Sequence, residues 1–224
     1  MTFRTLKAAL AAAAITFAGV GAAQALPTSG SIWINVPTSG ANASIVPGTA
    51  PDATFSTGAI NYTSSSGYDP GDFLNHPLFS NESSAFVTAC GASGTGCSLN
   101  NSFVQITGTI GLNSGSNSFV VGHDDGAVMT IDTFGTVVSA PGPTSFSSTP
   151  FTVNNPGPAG NFNFTLNYGE CCGAPAALLL KVNDVTIGGG GPVPEPATWA
   201  LMVFGVGAVG AAMRSSRKMA LIPA

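Results

Sequence analysis

The residues best able to do chemistry lie in Val121-Gly122-His123-Asp124-Asp125-Gly126-Ala127-Val128-Met129-Thr130-Ile131-Asp132, where two adjacent carboxylates leave an apolar stretch and a glycine follows them. Paired carboxylate oxygens suit a hard divalent cation such as calcium. Neighbouring side chains of a strand point to opposite faces. Asp124 and Asp125 can therefore converge on one ion only where the backbone is distorted, for example by a cis peptide between them. The alternative is an ordinary hairpin turn, because Asp-Gly between apolar runs is a strong hairpin signal by itself. His123 beside Asp124 does not make a Ser-His-Asp relay: the imidazole and carboxylate diverge, and no nucleophile-elbow sequence accompanies them. His123 reads as a structural histidine that could border the ligand loop. Glycoside hydrolysis needs two carboxylates ~5–9 Å apart across a cleft, which neighbours in one turn do not offer. No catalytic residue is assigned.

A second cluster is Gly169-Glu170-Cys171-Cys172-Gly173. Together with Cys90 and Cys97 it holds all the cysteines of the chain. An even count in an exported chain favours disulfides, and four cysteines allow three connectivities. The expected one joins Cys90 to Cys97 around a Gly-rich loop and Cys171 to Cys172 as a vicinal pair; cross-links between the two regions are the alternative. A vicinal pair would form a rigid, exposed apolar knob beside Glu170, whereas two buried free thiols would be inert. Zinc is not expected, since the spacing lacks paired-ligand motifs and histidines are scarce. His76, between Asn75 and Pro77, reads as a loop residue.

The elements that must position these residues are strands. From Leu26 to Gly191, short β-branched and aromatic stretches alternate with Gly, Pro, Asn and Ser clusters, with little helical periodicity. Strands are predicted at Ser31–Val36, Thr54–Tyr62, Ser102–Leu112, Ser118–Gly122, Ala127–Thr133, Thr136–Ser139, Phe146–Val153, Asn161–Tyr168, Ala176–Val182 and Val185–Ile187. Strands at such spacing argue an all-β fold, an antiparallel, jelly-roll-like β-sandwich. Residues 26–83 read as an extended or β-rich N-terminal part, 84–187 as the sandwich core and 188–193 as a Gly/Pro linker. Charge narrows the partners. Of the six basic residues only Lys181 lies between the terminal segments, against nine carboxylates there. A surface without arginine cannot neutralise phosphates, so nucleic acid is excluded. A divalent cation or a neutral, hydroxyl-rich ligand suits it better.

Both termini carry export features. Arg4 and Lys7 precede the apolar Ala8–Val20 run, and Ala23-Gln24-Ala25 offers small residues to signal peptidase, so residues 1–25 read as a signal peptide. At the other end, Ala197–Met213 is apolar and uncharged, at the lower edge of membrane-spanning length, and Arg214, Arg217 and Lys218 follow it. Pro194-Glu195-Pro196-Ala197-Thr198-Trp199-Ala200, that Gly-containing run and the basic cluster together resemble a PEP-CTERM sorting signal over residues 194–218, with 219–224 as a tail. The family's Arg cluster is tighter, and its members usually end sooner. The resemblance implies a transient inner-membrane helix, processing by an exosortase of a Gram-negative bacterium, and release to the cell surface or beyond.

A further resemblance covers roughly residues 84–187. Ser118 to Asp132, Phe151-Thr152-Val153, Ala159-Gly160-Asn161-Phe162-Asn163-Phe164-Thr165-Leu166-Asn167-Tyr168 and the closing Leu-rich strand are similar to the protective-antigen-type β-sandwich domain. Some members, yeast flocculins and epithelial adhesins, bind sugars through calcium held by a paired-Asp loop. The resemblance puts Asp124 and Asp125 at the metal and Glu170 to Gly173 in the later ligand loop, with Cys171-Cys172 where the family has an Asn ligand. It implies a non-enzymatic surface or matrix module that binds extracellular polysaccharide through calcium. The alternatives are a structural biofilm-matrix protein with no discrete ligand and, behind it, an exopolysaccharide hydrolase.

Overall fold

The computed structural model describes residues 28–64 and 67–187. The expected signal peptide, the 188–193 linker, the membrane helix and the sorting-signal residues Pro194, Glu195, Pro196, Trp199, Arg214, Arg217 and Lys218 lie outside the described residues. Among the described residues, no helix is long and apolar enough to cross a membrane.

The elements in chain order are β1 (Thr28–Trp33), α1 (Pro37–Gly40), β2 (Ala53–Thr57), β3 (Asn61–Thr63), α2 (Pro70–Phe73), β4 (Phe79–Ser80) and α3 (Ser84–Cys90). There follow β5 (Ser102–Leu112), β6 (Gly115–Asp124), β7 (Gly126–Ile131), β8 (Gly135–Ala140), β9 (Ser147–Asn155), β10 (Gly160–Glu170), β11 (Ala177–Val182) and β12 (Val185–Thr186). They build the antiparallel β-sandwich expected from the strand spacing. One sheet has seven strands in the order β4-β2-β1-β5-β10-β7-β8; the other has β12-β11-β6-β9, with β3 added against β11. Period-two alternation supplies the core between them. Val104, Ile106 and Ile110 of β5 and Phe164, Leu166 and Tyr168 of β10 point inward from the first sheet, and Phe119, Val121, Leu178 and Leu180 from the second. Full burial of each such side chain contributes about 1.5–3 kcal/mol. Along β5 and β10 the outward positions are mostly Gln, Thr and Asn, polar but uncharged, as where Gln105 Nε2 donates to Asn167 Oδ1 at 3.0 Å.

Three local expectations change. The division at residue 84 does not separate structural parts: β1 lies between β2 and β5, with Ile32 fully buried, so the N-terminal stretch belongs to the sandwich itself. The predicted Thr54–Tyr62 strand is broken at Gly58-Ala59, because β2 pairs with β1 in one sheet and β3 with β11 in the other. Ser84–Cys90, where the sandwich core was expected to open, is helical. Ser83 Oγ caps α3 by accepting the Phe86 N–H at 3.0 Å, and the Phe86 and Cys90 face is buried. So short a helix stands on tertiary packing, here the contact of Phe86 with Phe79 at 5.0 Å between ring centroids.

Two features bring loops onto one end of the sandwich. Asp69 caps α2 by accepting the Asp72 N–H at 2.7 Å, and Phe73 of α2 stacks on Tyr168 at 5.2 Å. Gly126 and Gly169 face each other across β7 and β10, leaving a shallow trough over which α1 passes. A Cβ on Gly169 would stand 2.6 Å from the Gly40 carbonyl oxygen and 2.7 Å from that of Ser39. The neighbours are backbone and cannot swing aside. Gly169→Ala should therefore cost about 3 kcal/mol of stability, read as a lower urea midpoint with an unchanged slope. Gly58→Ala, which meets nothing within 4 Å, should change stability by less than about 1 kcal/mol.

Candidate functional site

Asp124 ends β6 in the five-stranded sheet, and Gly126 begins β7 in the seven-stranded sheet. β6 pairs with β9 and β11, and β7 with β8 and β10. The Asp-Asp-Gly segment is thus not a hairpin turn: it is the corner at which the chain passes from one sheet to the other. The Asp124–Asp125 peptide bond in this corner is cis. Both carboxylates are buried, each residue being 6% exposed.

The carboxylates and carbonyls of the corner are held from several elements. Asp125 Oδ1 accepts the Thr144 N–H at 3.1 Å and Oδ2 accepts the Cys171 N–H at 2.9 Å. The Asp124 carboxylate accepts the Phe146 N–H, while the Asp124 carbonyl accepts the Tyr168 hydroxyl. The Asp125 carbonyl lies 2.6 Å from His123 Nδ1. A carbonyl only accepts, so Nδ1 carries a proton, and Nε2 faces Thr149 Oγ1 at 3.1 Å. Both ring nitrogens are engaged within the protein, which makes His123 a brace of the corner.

Glu170 lies fully buried beneath it. Its Oε1 accepts the Tyr68 hydroxyl at 2.5 Å. The Tyr168 proton goes to the Asp124 carbonyl, so the contact of Oε2 with the Tyr168 oxygen is made by the proton that the carboxyl itself holds. Burial pushes the Glu170 carboxyl up to about 8; Asp125 and Asp124 push the same way, while the two phenols partly restrain it. Burial, Glu170 and Asp125 raise both tyrosines. The Asp124 carboxyl is raised by burial first and Asp125 second, against the pull of the Phe146 N–H and His123. Three carboxyl groups therefore repel one another in a buried corner.

Cys171 and Cys172 are joined as a vicinal disulfide and Cys90 to Cys97, the first of the connectivities weighed above. Asp125 Oδ and both sulfurs lie within 4.8 Å of one another. Sulfurs bonded to each other are not thiolates, so a soft ion such as zinc lacks its usual ligands here, whereas carboxylate oxygens suit a hard cation. Asp124, Asp125, His123, Glu170, Cys171 and Cys172 all meet at this corner. Tyr68, Thr144 and Phe146 were not singled out in the sequence. Tyr168, two residues before Glu170 on the same strand, was the one partner that spacing could have pointed to.

Comparison with known proteins decides the C-terminus. Residues 192–218 match the PEP-CTERM protein-sorting motif. The motif implies export and processing by exosortase. Among solved structures, the PA14 domain of the MpAFP antifreeze protein is similar at 18% identity and a TM-score of 0.50, over 77% of this chain and 86% of that one. The PA14 sugar-binding domain from an RTX adhesin is similar at 21% identity and a TM-score of 0.48, over 71% of this chain and 90% of that one. The likeness to the antifreeze-protein domain is one of fold, the protective-antigen-type β-sandwich. No curated protein matches the chain.

The geometry separates the two aspartates. Asp125→Ala orphans the buried Cys171 N–H and the Thr144 N–H, and should cost about 3 kcal/mol in chemical unfolding. Asp124→Asn keeps an acceptor for Phe146 and should cost less than about 1 kcal/mol. Glu170 also makes stability pH-dependent. Its carboxyl, ordinarily near 4.5, titrates at about 8 in the folded chain. Between these values the folded chain holds a proton that the unfolded chain has released, so its contribution is complete at low pH and is lost as pH rises through 8. In chelated buffer the melting temperature should fall from pH 5 to pH 8.5, and Glu170→Gln should flatten that slope.

Proposed function

We propose that this chain is an exported surface or extracellular-matrix module whose Asp124–Asp125 corner holds calcium and, through it, hydroxyl groups of extracellular polysaccharide. The observation that carries the reading is the meeting of Asp124, Asp125 and Glu170 at one buried corner, where two of the carboxyls are pushed upward by burial and by their acidic neighbours. A hard divalent cation relieves that repulsion, and its coordination sphere takes neutral oxygens as readily as carboxylates. Asp124 and Asp125 would hold the ion, with the Glu170–Cys172 loop beside it. Sugar hydroxyls are such neutral oxygens, and the resemblance to flocculin-type domains points the same way. Adjacent carboxylates favour binding over glycosidic cleavage, which needs a separated pair.

In this reading signal peptidase removes residues 1–25, the 194–218 segment is a transient inner-membrane anchor, and exosortase processing delivers the 26–187 module to the surface. A second reading, a structural matrix protein with no discrete ligand, draws on a different observation: both Asp125 oxygens already bind backbone N–H groups and serve the fold.

Calcium titration followed by thermal unfolding distinguishes the two. The wild-type melting temperature should climb with calcium, the stabilisation reaching ~2.7 kcal/mol at a hundredfold excess over Kd, and the folded Asp124→Asn variant should not respond. No response in the wild type would sink the calcium reading and leave the structural one.

A further inference from the structure

Phe146 stands out on the outer surface beside the corner. It is 56% exposed, and a single exposed apolar side chain needs no explanation. Its mounting does. The Phe146 N–H is held by the Asp124 carboxylate, and two residues earlier the Thr144 N–H is held by Asp125 Oδ1. The segment is thus pinned twice to the paired aspartates.

The ring in turn has a seat. A Cβ built on Gly122 would lie 3.2 Å from Phe146 Cζ, 3.3 Å from Cε2 and 3.3 Å from Leu179 Cβ. Gly122 precedes Asp124 by two positions on β6, so the two share a strand face about 7 Å apart. It is the outer face, since Phe119, Val121 and His123 fill the inner one. The absence of a side chain at Gly122 lets the ring settle onto the strand at that position. An aromatic ring is thereby held at a set distance from the carboxylates, with more than half of the residue open to solvent.

We infer that Phe146 is a stacking platform for a pyranose ring whose hydroxyls are held at the Asp124–Asp125 corner. This rests on the reading of that corner as a ligand site, and names the class of ligand. A pyranoside carries both faces that the arrangement addresses: vicinal hydroxyls for the polar end and a patch of C–H groups for the ring. Aromatic side chains with a few placed polar groups are how small polar ligands are oriented. Charge narrows the class to neutral sugars. Asp124 and Asp125 stand on one side, and the single Lys or Arg among the described residues, Lys181, lies opposite Val120, one row beyond Gly122 on the neighbouring strand.

The test uses affinity electrophoresis in calcium against dextran, galactan and soluble cello-oligosaccharide conjugates, with alginate as the acidic comparator, beside the calcium-dependent melting shift of each variant. Phe146→Ala should weaken binding to the retained neutral polysaccharide about tenfold while keeping the full calcium shift. Phe146→Trp should restore binding. Gly122→Ala, which displaces the ring without removing it, should fall between. Equal binding by wild type and Phe146→Ala would overturn the platform, as would a wild type that shows the calcium shift and retains only alginate or nothing. A wild type with no calcium shift that still binds through Phe146 would overturn the calcium reading and uphold the platform.

Discussion

The side chain of Asp125 holds together one end of this sandwich. One carboxylate oxygen accepts an N–H from the β8–β9 connection and the other an N–H from the residue that follows β10. These segments are far apart in sequence, and each would otherwise leave an amide unpaired against the protein. Burying such a donor without a partner costs about 1–3 kcal/mol, so the pairing sets where both loops run. Because Asp125 sits at the crossing from β6 to β7, the same group ties the loops to the point where the two sheets meet.

A second layer supports that clamp from below. Glu170 is taken out of water entirely, which is tolerable because both of its oxygens are paired with phenols and the carboxyl holds its own proton. Tyr168 links this carboxyl to the Asp124 carbonyl, and Phe73 stacked on Tyr168 brings α2 into the same stack. The layers are coupled: the acidity of Glu170 is set by burial and by the aspartates above it. The vicinal disulfide and Phe146 stand on two sides of the corner, each attached to it through a backbone N–H accepted by an aspartate. The site's rims and its centre are therefore held by the same few hydrogen bonds.

How much of this was legible varies with the range of the interaction. The long strands were readable because alternation is local: Ser102–Leu112 and the strand around Asn161–Tyr168 show inward Ile, Leu and Phe between outward Thr and Asn. The short α3 was missed because its stability comes from Phe79 and the Ser83 cap rather than from periodicity. Thr54–Tyr62 read as one strand because nothing within it reveals that its halves pair with different sheets. Asp124 and Asp125 were singled out by type and adjacency, while Tyr68 and Phe146 reach the corner from connections that carry no signal for it.

By itself the sequence determined the sorting motif of the C-terminus, the β class, the scarcity of charge between the termini, and the adjacency of two carboxylates at Asp124-Asp125. Each is a property of composition or of neighbours a few positions apart. Only the tertiary structure decided that Asp124-Asp125-Gly126 is an inter-sheet corner, that His123 is committed to bracing it, and that Glu170 lies buried between two tyrosines. Those outcomes depend on which strands share a sheet. That choice is made by packing between residues tens of positions apart, where a two-residue period gives the same pattern for a hairpin as for a crossing.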